Sequence, residues 1–182
     1  MSKEVLVPLA DGTEELEAVC IIDVLRRAGA SVTVASVGDM QITASRGVKL
    51  VADKKIAECV ADTYDLIVLP GGIPGAEHLR DSKELEILLR QQQEQGRWYG
   101  AICASPAVVF QHHGLLGQTR ATCYPSYMDK LENADMAESR VVVYGKCITS
   151  RGPGTALEFS LRLVELLYGE EKAKEVAGAM VA

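Results

Sequence analysis

Three short apolar runs, each stopped by turn residues, constrain the fold of this chain more than any other feature. EVLVPLA (4–10), SVTVASV (31–37) and YDLIVLPGG (64–72) are rich in Val, Leu and Ile. Runs of this kind, with little polar alternation, are strands covered on both faces. Between the first two lies TEELEAVCIIDVLRRAGA (13–30), with helical spacing and Gly29 as its stop. Strand, helix and strand within about 30 residues make the βαβ unit of a parallel sheet.

The alternation continues. KELEILLRQQQEQG (83–96) reads as a helix, RWYGAI (97–102) as a strand and SPAVVFQHHG (105–114) as a helix. KCITS (146–150) reads as a strand, followed by a helix in TALEFSLRLVELLYG whose Thr155 and Glu158 fit a capping box. GDMQITASRGVKLVAD (38–53) alternates and carries turn residues, which predicts a small hairpin or edge strands. The expected architecture is a doubly wound, flavodoxin-like three-layer α/β sandwich with a mostly parallel sheet. At 182 residues, 48% of them hydrophobic and 24% charged, the chain fits one globular domain spanning 1–182.

A net charge of −6 and a pI near 5.1 give no electrostatic footprint for nucleic acid. No apolar run approaches the roughly 18 residues of a membrane span, and a strand starting almost at Met1 leaves no room for a signal peptide. Five cysteines, at 20, 59, 103, 123 and 147, form no CxxC pair and no zinc spacing. Reduced thiols in a cytoplasmic protein, without a metal site, are the expectation.

In doubly wound sheets ligands bind beyond the carboxyl ends of the strands. That rule selects the loops ADGTEE (10–15), PGGIPGAEH (70–78), CASP (103–106) and SRGPGT (150–155). On the first helix, with Leu16 set at zero, Val24, Ala28, Ile21, Leu25, Ala18 and Ile22 fall between roughly 80° and 240°, the core face. Glu17 and Glu14 fall inside this arc, while Glu15, Asp23, Arg26 and Arg27 lie outside it. Glu14 suits the positive end of the helix dipole. Glu17 is a turn further in, where burial would raise its pKa and let it carry a proton. Leu16, Val19 and Cys20 form an apolar stripe on the outer arc, which suggests contact with a second subunit and hence a homodimer.

Cys103 falls where the strand RWYGAI gives way to a helix. Gly100, Ala101, Ala104 and Ser105 remove steric objections to a tight turn, and Pro106 suits a helix's first turn. This is the logic of a nucleophile elbow, and a helix amino terminus there would lower the thiol pKa. Cys20, Cys59 and Cys147 read as packed core thiols; Cys123 is open. His112 and His113 come nine and ten residues after Cys103, on the order of 13 Å along a helix, and His78 reads as a surface-loop residue. No Cys-His-Asp triad emerges.

ADGTEELEAV, ASRGV, LIVLPGG, AICASPA and TSRGPGTALEF together, in order and spacing, resemble the ThiJ/PfpI superfamily, in the branch of the Parkinson-disease protein deglycase and the bacterial chaperone YajL. The resemblance implies a flavodoxin-like homodimer in which Cys103 is the reactive thiolate and Glu17 the protonated carboxyl beside it. It implies an anion hole from the amides of Gly72 and Ala104, and a pocket that includes Glu14, Arg46, Gly71, Arg151, Gly152 and Pro153. A histidine of the human branch member is Tyr124 here, and Ser105 stands where Gly or Ala is usual.

Three activities follow as expectations. A cofactor-independent glyoxalase or protein deglycase would act on methylglyoxal or its early protein adducts, through the thiolate and one proton shuttle. A redox-sensing, oxidation-activated chaperone of the oxidative-stress response would use the same Cys103 as a sulfinic acid. An intracellular cysteine peptidase fits less well, because it would want a histidine.

Overall fold

The computed structural model describes residues 2–182. The chain runs β1 (Glu4–Leu9), α1 (Glu15–Arg27), β2 (Ser31–Ser36), β3 (Gln41–Thr43), β4 (Lys49–Val51), β5 (Lys54–Lys55), β6 (Leu66–Leu69), α2 (Gly75–Asp81), α3 (Lys83–Glu94), β7 (Trp98–Ile102), β8 (Val141–Tyr144), β9 (Cys147–Ser150), α4 (Ala156–Tyr168) and α5 (Glu170–Met180). Short helical turns fill the connections, one of them a π-helix over Pro106–Gln111.

Seven strands form one sheet in the order β5-β2-β1-β6-β7-β9-β8, parallel except for β8, which runs antiparallel to β9. β3 and β4 form the expected hairpin, outside that sheet. The direction of winding reverses at β1, so β1 and β6 are neighbours whose onward connections diverge. That divergence opens a crevice at their carboxyl ends, where the loops of residues 10–15 and 70–75 meet.

Both sheet faces are covered, which is why the strands read as unbroken apolar runs. Val5, Val7, Leu9, Val68 and Ile148 pack toward α1, α4 and α5 in one core layer with Ile21, Leu25 and Phe159. Leu6, Ile67, Leu69, Tyr99 and Ala101 face the other layer, with Leu85, Leu89 and Phe110. The alternation of Val5, Val7 and Leu9 with Leu6 is the two-residue period of a strand expressed between two apolar layers.

Three expectations are corrected. The capping box of Thr155 and Glu158 does not form: residues 153–155 make a 3₁₀ turn ahead of α4, and Thr155, at φ −111° and ψ 2°, lacks the extended geometry of a cap. Its hydroxyl bonds instead to Ser150 Oγ at 2.6 Å and to the Gly152 backbone, while Glu158 pairs with Arg140 at 2.7 Å. His78 is on α2 rather than a loop. Glu15, which the helical wheel assigns to solvent, is buried. The β3–β4 hairpin lies over that side of α1, and Glu15 accepts the Arg46 N–H at 2.8 Å and the Ser45 hydroxyl at 3.0 Å.

Candidate active site

Glu17 is the deepest carboxyl in the crevice. It lies in the first turn of α1 on the core face and has no exposed surface. Its Oε2 accepts the backbone N–H of Gly71 at 2.8 Å, whereas Oε1 is buried without a hydrogen-bond partner. Burial pushes the Glu17 pKa up to about 7, opposed by hydrogen bonds from Gly71 and Cys103 and reinforced by the charge of Glu14. An orphaned oxygen in an apolar site is where a proton lowers the free energy most.

Cys103 meets this carboxyl from the sheet side. Its φ of 65° is left-handed, a conformation that costs a non-glycine residue about 1–3 kcal/mol. Backbone bonds on both sides hold it there: Cys103 N–H donates to Ser150 O at 3.1 Å, and Tyr124 N–H donates to Cys103 O at 2.7 Å. The sharp turn directs the side chain out of the sheet while the residue keeps 9% of its surface exposed, enough to present sulfur to a ligand.

The glycines of the PGG loop are dictated by close approach. A Cβ on Gly71 would lie 2.5 Å from Cys103 Cβ. One on Gly72, already at φ +89°, would lie 2.5 Å from both Gly12 O and Glu14 N. The loops after β1, β6 and β7 are thus stacked at contact distance. This closeness brings the amides of Gly72 and Ala104, from two different loops, near enough to the Cys103 sulfur to favour its charged form.

The lowered thiol pKa expected at Cys103 is not met when Glu17 carries charge. Burial, then the Glu17 carboxylate, push the thiol up to about 12, against the lowering from the two amides. The helix that follows is a six-residue π-helix, and Cys103 stands three residues before it. A short helix at that distance contributes little field. The carboxyl and thiol instead titrate as a pair: burial raises both, and a charge on Glu17 raises the thiol further, so the two protons leave in well-separated steps. Between those steps the pair holds one proton and one negative charge.

A cavity of about 410 Å³ opens onto the sulfur. Of the residues expected there, Glu14, Arg46, Gly72, Cys103, Ala104, Tyr124 and Pro153 line it. Gly71 lies beneath the thiol, and Gly152 is buried behind the Tyr124 ring. Arg151 does not line the cavity: past the end of β9 its side chain turns away, with Nη1 donating to Glu138 O and Nη2 to Met128 Sδ, both at 3.5 Å. Its charge bears on Cys123, a fully buried thiol that burial pushes up to about 12. Sequence reasoning missed Ser45, Ile73, Ser126 and Tyr127, which complete the lining. Ile73 lies within the loop of residues 70–78 selected from the sequence, and Ser45 adjoins Arg46; these were the available signals.

None of the three histidines lines this cavity. His78 Nδ1 is 2.9 Å from Asp11 O, and His113 Nε2 is 2.8 Å from Arg80 O. Among the described residues no group of three His, Cys, Asp or Glu side chains is placed to hold a metal, and no helix is long and apolar enough to cross a membrane. The amides of Gly72 and Ala104, the Glu17 carboxyl and the Cys103 thiol are grouped at the floor of the crevice, with Glu14, Arg46 and Tyr124 on its walls.

Both the sequence and the fold have known relatives. The sequence pattern of the DJ-1/PfpI family matches residues 3–166. The chain belongs to the DJ-1/PfpI family. It is 53% identical over 97% of its length to Protein DJ-1 homolog B of Arabidopsis thaliana, covering 40% of that protein, and 49% identical over 99% to homolog A, covering 47%. The chain thus spans less than half the length of these two DJ-1 relatives. It is 36% identical over 94% of its length to a protein of Caenorhabditis elegans named glutathione-independent glyoxalase DJR-1.2, covering 91% of it. A solved structure of oxidized Toxoplasma gondii DJ-1 superposes with a TM-score of 0.96 at 52% identity, covering 99% of this chain and 98% of that one.

Proposed function

We propose that the chain is a cofactor-independent glyoxalase or protein deglycase, acting on methylglyoxal or on its early adducts with protein side chains. The observation that carries this reading is the pairing of Cys103 with a buried carboxyl whose Oε1 has no partner, at a cavity without histidine. The Cys103 S–H adds across the aldehyde C=O, forming the C–S bond of a hemithioacetal. The amides of Gly72 and Ala104 hold the negative charge that develops there. Glu17 then takes the proton from the former aldehyde carbon and returns it to the neighbouring carbon through an enediol, leaving a lactoyl thioester. Water cleaves the thioester to lactate and frees the thiol. One water is consumed, and no oxidant or reductant is needed.

The glyoxalase named among the relatives supports this reading. Its test is lactate formation from methylglyoxal by the purified chain and by Cys103→Ala. Turnover by the first and none by the second is expected; a wild type that forms no lactate overturns the glyoxalase reading.

A second reading is supported by the oxidized state named for the Toxoplasma structure. Cys103 would be oxidised by two equivalents of peroxide to a sulfinate, its oxygens held by the same amides and by protonated Glu17, as a redox sensor or oxidation-activated chaperone. Two added oxygens on Cys103, ahead of the other four thiols after mild peroxide, are expected in mass spectra; uniform oxidation contradicts it.

We also propose that two copies pair through α1 in a cytoplasmic homodimer. Leu16 and Val19 are 53% and 48% exposed, and Val48 and Val51 of the adjoining hairpin 49% and 68%. Exposed apolar side chains on neighbouring elements are candidates for a contact surface between subunits. A solution mass of one chain would refute it.

A further inference from the structure

The two amides directed at the Cys103 sulfur come from loops that the sheet does not join. β6 and β7 are paired only as far as Leu69 and Ala101. Past that point Pro70, Gly71 and Gly72 leave in one direction and Cys103, Ala104 and Ser105 in another. One side chain reconnects them: Ser105 is fully buried, and its hydroxyl donates to the carbonyl of Pro70 at 2.6 Å.

We infer that Ser105 is a positioning residue that sets the spacing of the anion hole through this bond. It rests on the reading of Cys103 as the reactive thiol and adds a residue that touches neither substrate nor sulfur. Pro70 O lies one residue before Gly71, whose N–H is bound to Glu17 Oε2 at 2.8 Å and whose carbonyl accepts Glu14 N–H at 2.9 Å. Gly72 follows directly, and its amide favours the charged form of the sulfur. Ser105 is one residue after Ala104, the source of the second amide. The hydroxyl thus ties together the carrier of the carboxyl's hydrogen bond and the carriers of both hole amides.

The packing makes the spacing sensitive. Gly71 has no room for a Cβ against Cys103, so small movement of the PGG loop changes the approach of the Gly72 amide to sulfur. A net intramolecular hydrogen bond is worth about 0.5–1.5 kcal/mol. If it acts only on the charged sulfur and the transition state, its loss lowers the rate roughly two- to twelvefold.

The test uses Ser105→Ala and Ser105→Gly, both of which lack the hydroxyl and fit the space. Alkylation of Cys103 by iodoacetamide across pH reads the thiol without reference to carbonyl turnover, so the result stands whether or not methylglyoxal is the substrate. Both variants are expected to show a raised apparent pKa and slower alkylation at pH 7, by about two- to twelvefold. Where lactate forms, they are expected to show a fall in kcat of similar size with little change in KM. Ser105→Thr, which keeps the hydroxyl, is expected to retain the wild-type profile. An unchanged profile in the Ala and Gly variants overturns the inference, and so does a shift confined to one of them, which would trace to the altered backbone.

Discussion

Glu17 and Cys103 reach the same interior from adjacent layers, one from a helix packed on the sheet and the other from just past the end of a central strand. Neither has a counter-ion there; each is the other's principal polar neighbour besides backbone amides. A charge on either raises the pKa of the other, and a proton on either becomes a hydrogen-bond donor to the other. The pair behaves as one titrating unit.

The pH dependence of thiol reactivity follows. In the wild type, loss of the pair's first proton creates the reactive monoanion, so Cys103 alkylation should rise with an apparent pKa near 7 and then level off. In Glu17→Gln the first proton lost is the thiol's own, which burial holds above its ordinary value of 9.0. The midpoint should move upward by about two units or more. An unchanged midpoint near 7 would show that the carboxyl does not share the proton.

Stability carries the same signature with a defined sign. The Glu17 pKa is raised from 4.5 to about 7, so the folded state binds more protons than the unfolded state across that window, and stability falls as pH rises through it. The shift corresponds to on the order of 3 kcal/mol, fully lost above about pH 7. Denaturant unfolding of wild type and Glu17→Gln at pH 5 and pH 8 should show the variant gaining on the wild type by roughly that amount. A pH-independent difference contradicts a buried, ionisable Glu17.

Gly72→Ala should be severely destabilising. Its φ of +89° disfavours a side chain, and the added Cβ would lie 2.5 Å from two backbone atoms of the loop after β1. A loss of about 2 kcal/mol or more is expected, with Cys103 alkylation at pH 7 slowed in whatever remains folded. Urea unfolding checks the first point; a loss under 1 kcal/mol would mean that the loops are not interlocked as described.

Glu15 supplies a test of the hairpin's attachment. Its buried carboxylate loses solvation, but hydrogen bonds from its own N–H, from Ser45 and from the Arg46 and Val48 amides more than offset that and hold its pKa below the ordinary value. Glu15→Ala leaves those donors without their acceptor and should cost about 1–3 kcal/mol. Amide exchange at Arg46 and Val48 should accelerate in the variant. Unchanged protection there would contradict the contact.

Glu17 and Cys103 were legible in the sequence because each violates a local pattern: a carboxyl on the apolar arc of α1, and a thiol at a strand-to-helix junction among small residues. The parallel sheet was legible because its strands are covered on both faces. Glu15 was not, since its burial comes from a hairpin some 30 residues away, and a helical wheel records only the helix. The capping box of Thr155 and Glu158 had the right spelling, but an extra 3₁₀ turn gave the Thr155 hydroxyl nearer partners. Arg151 matched a family position, yet the direction of its side chain is set by Met128 and Glu138, which no local pattern connects to it.

Separating addition from proton transfer tests the central claim most directly. Glu17→Gln, incubated with methylglyoxal, should accumulate the covalent adduct on Cys103 by mass spectrometry while lactate formation falls about 10²- to 10⁴-fold, the usual contribution of a positioned general acid–base group. A variant that forms lactate at the wild-type rate would contradict Glu17 as the group that moves the proton.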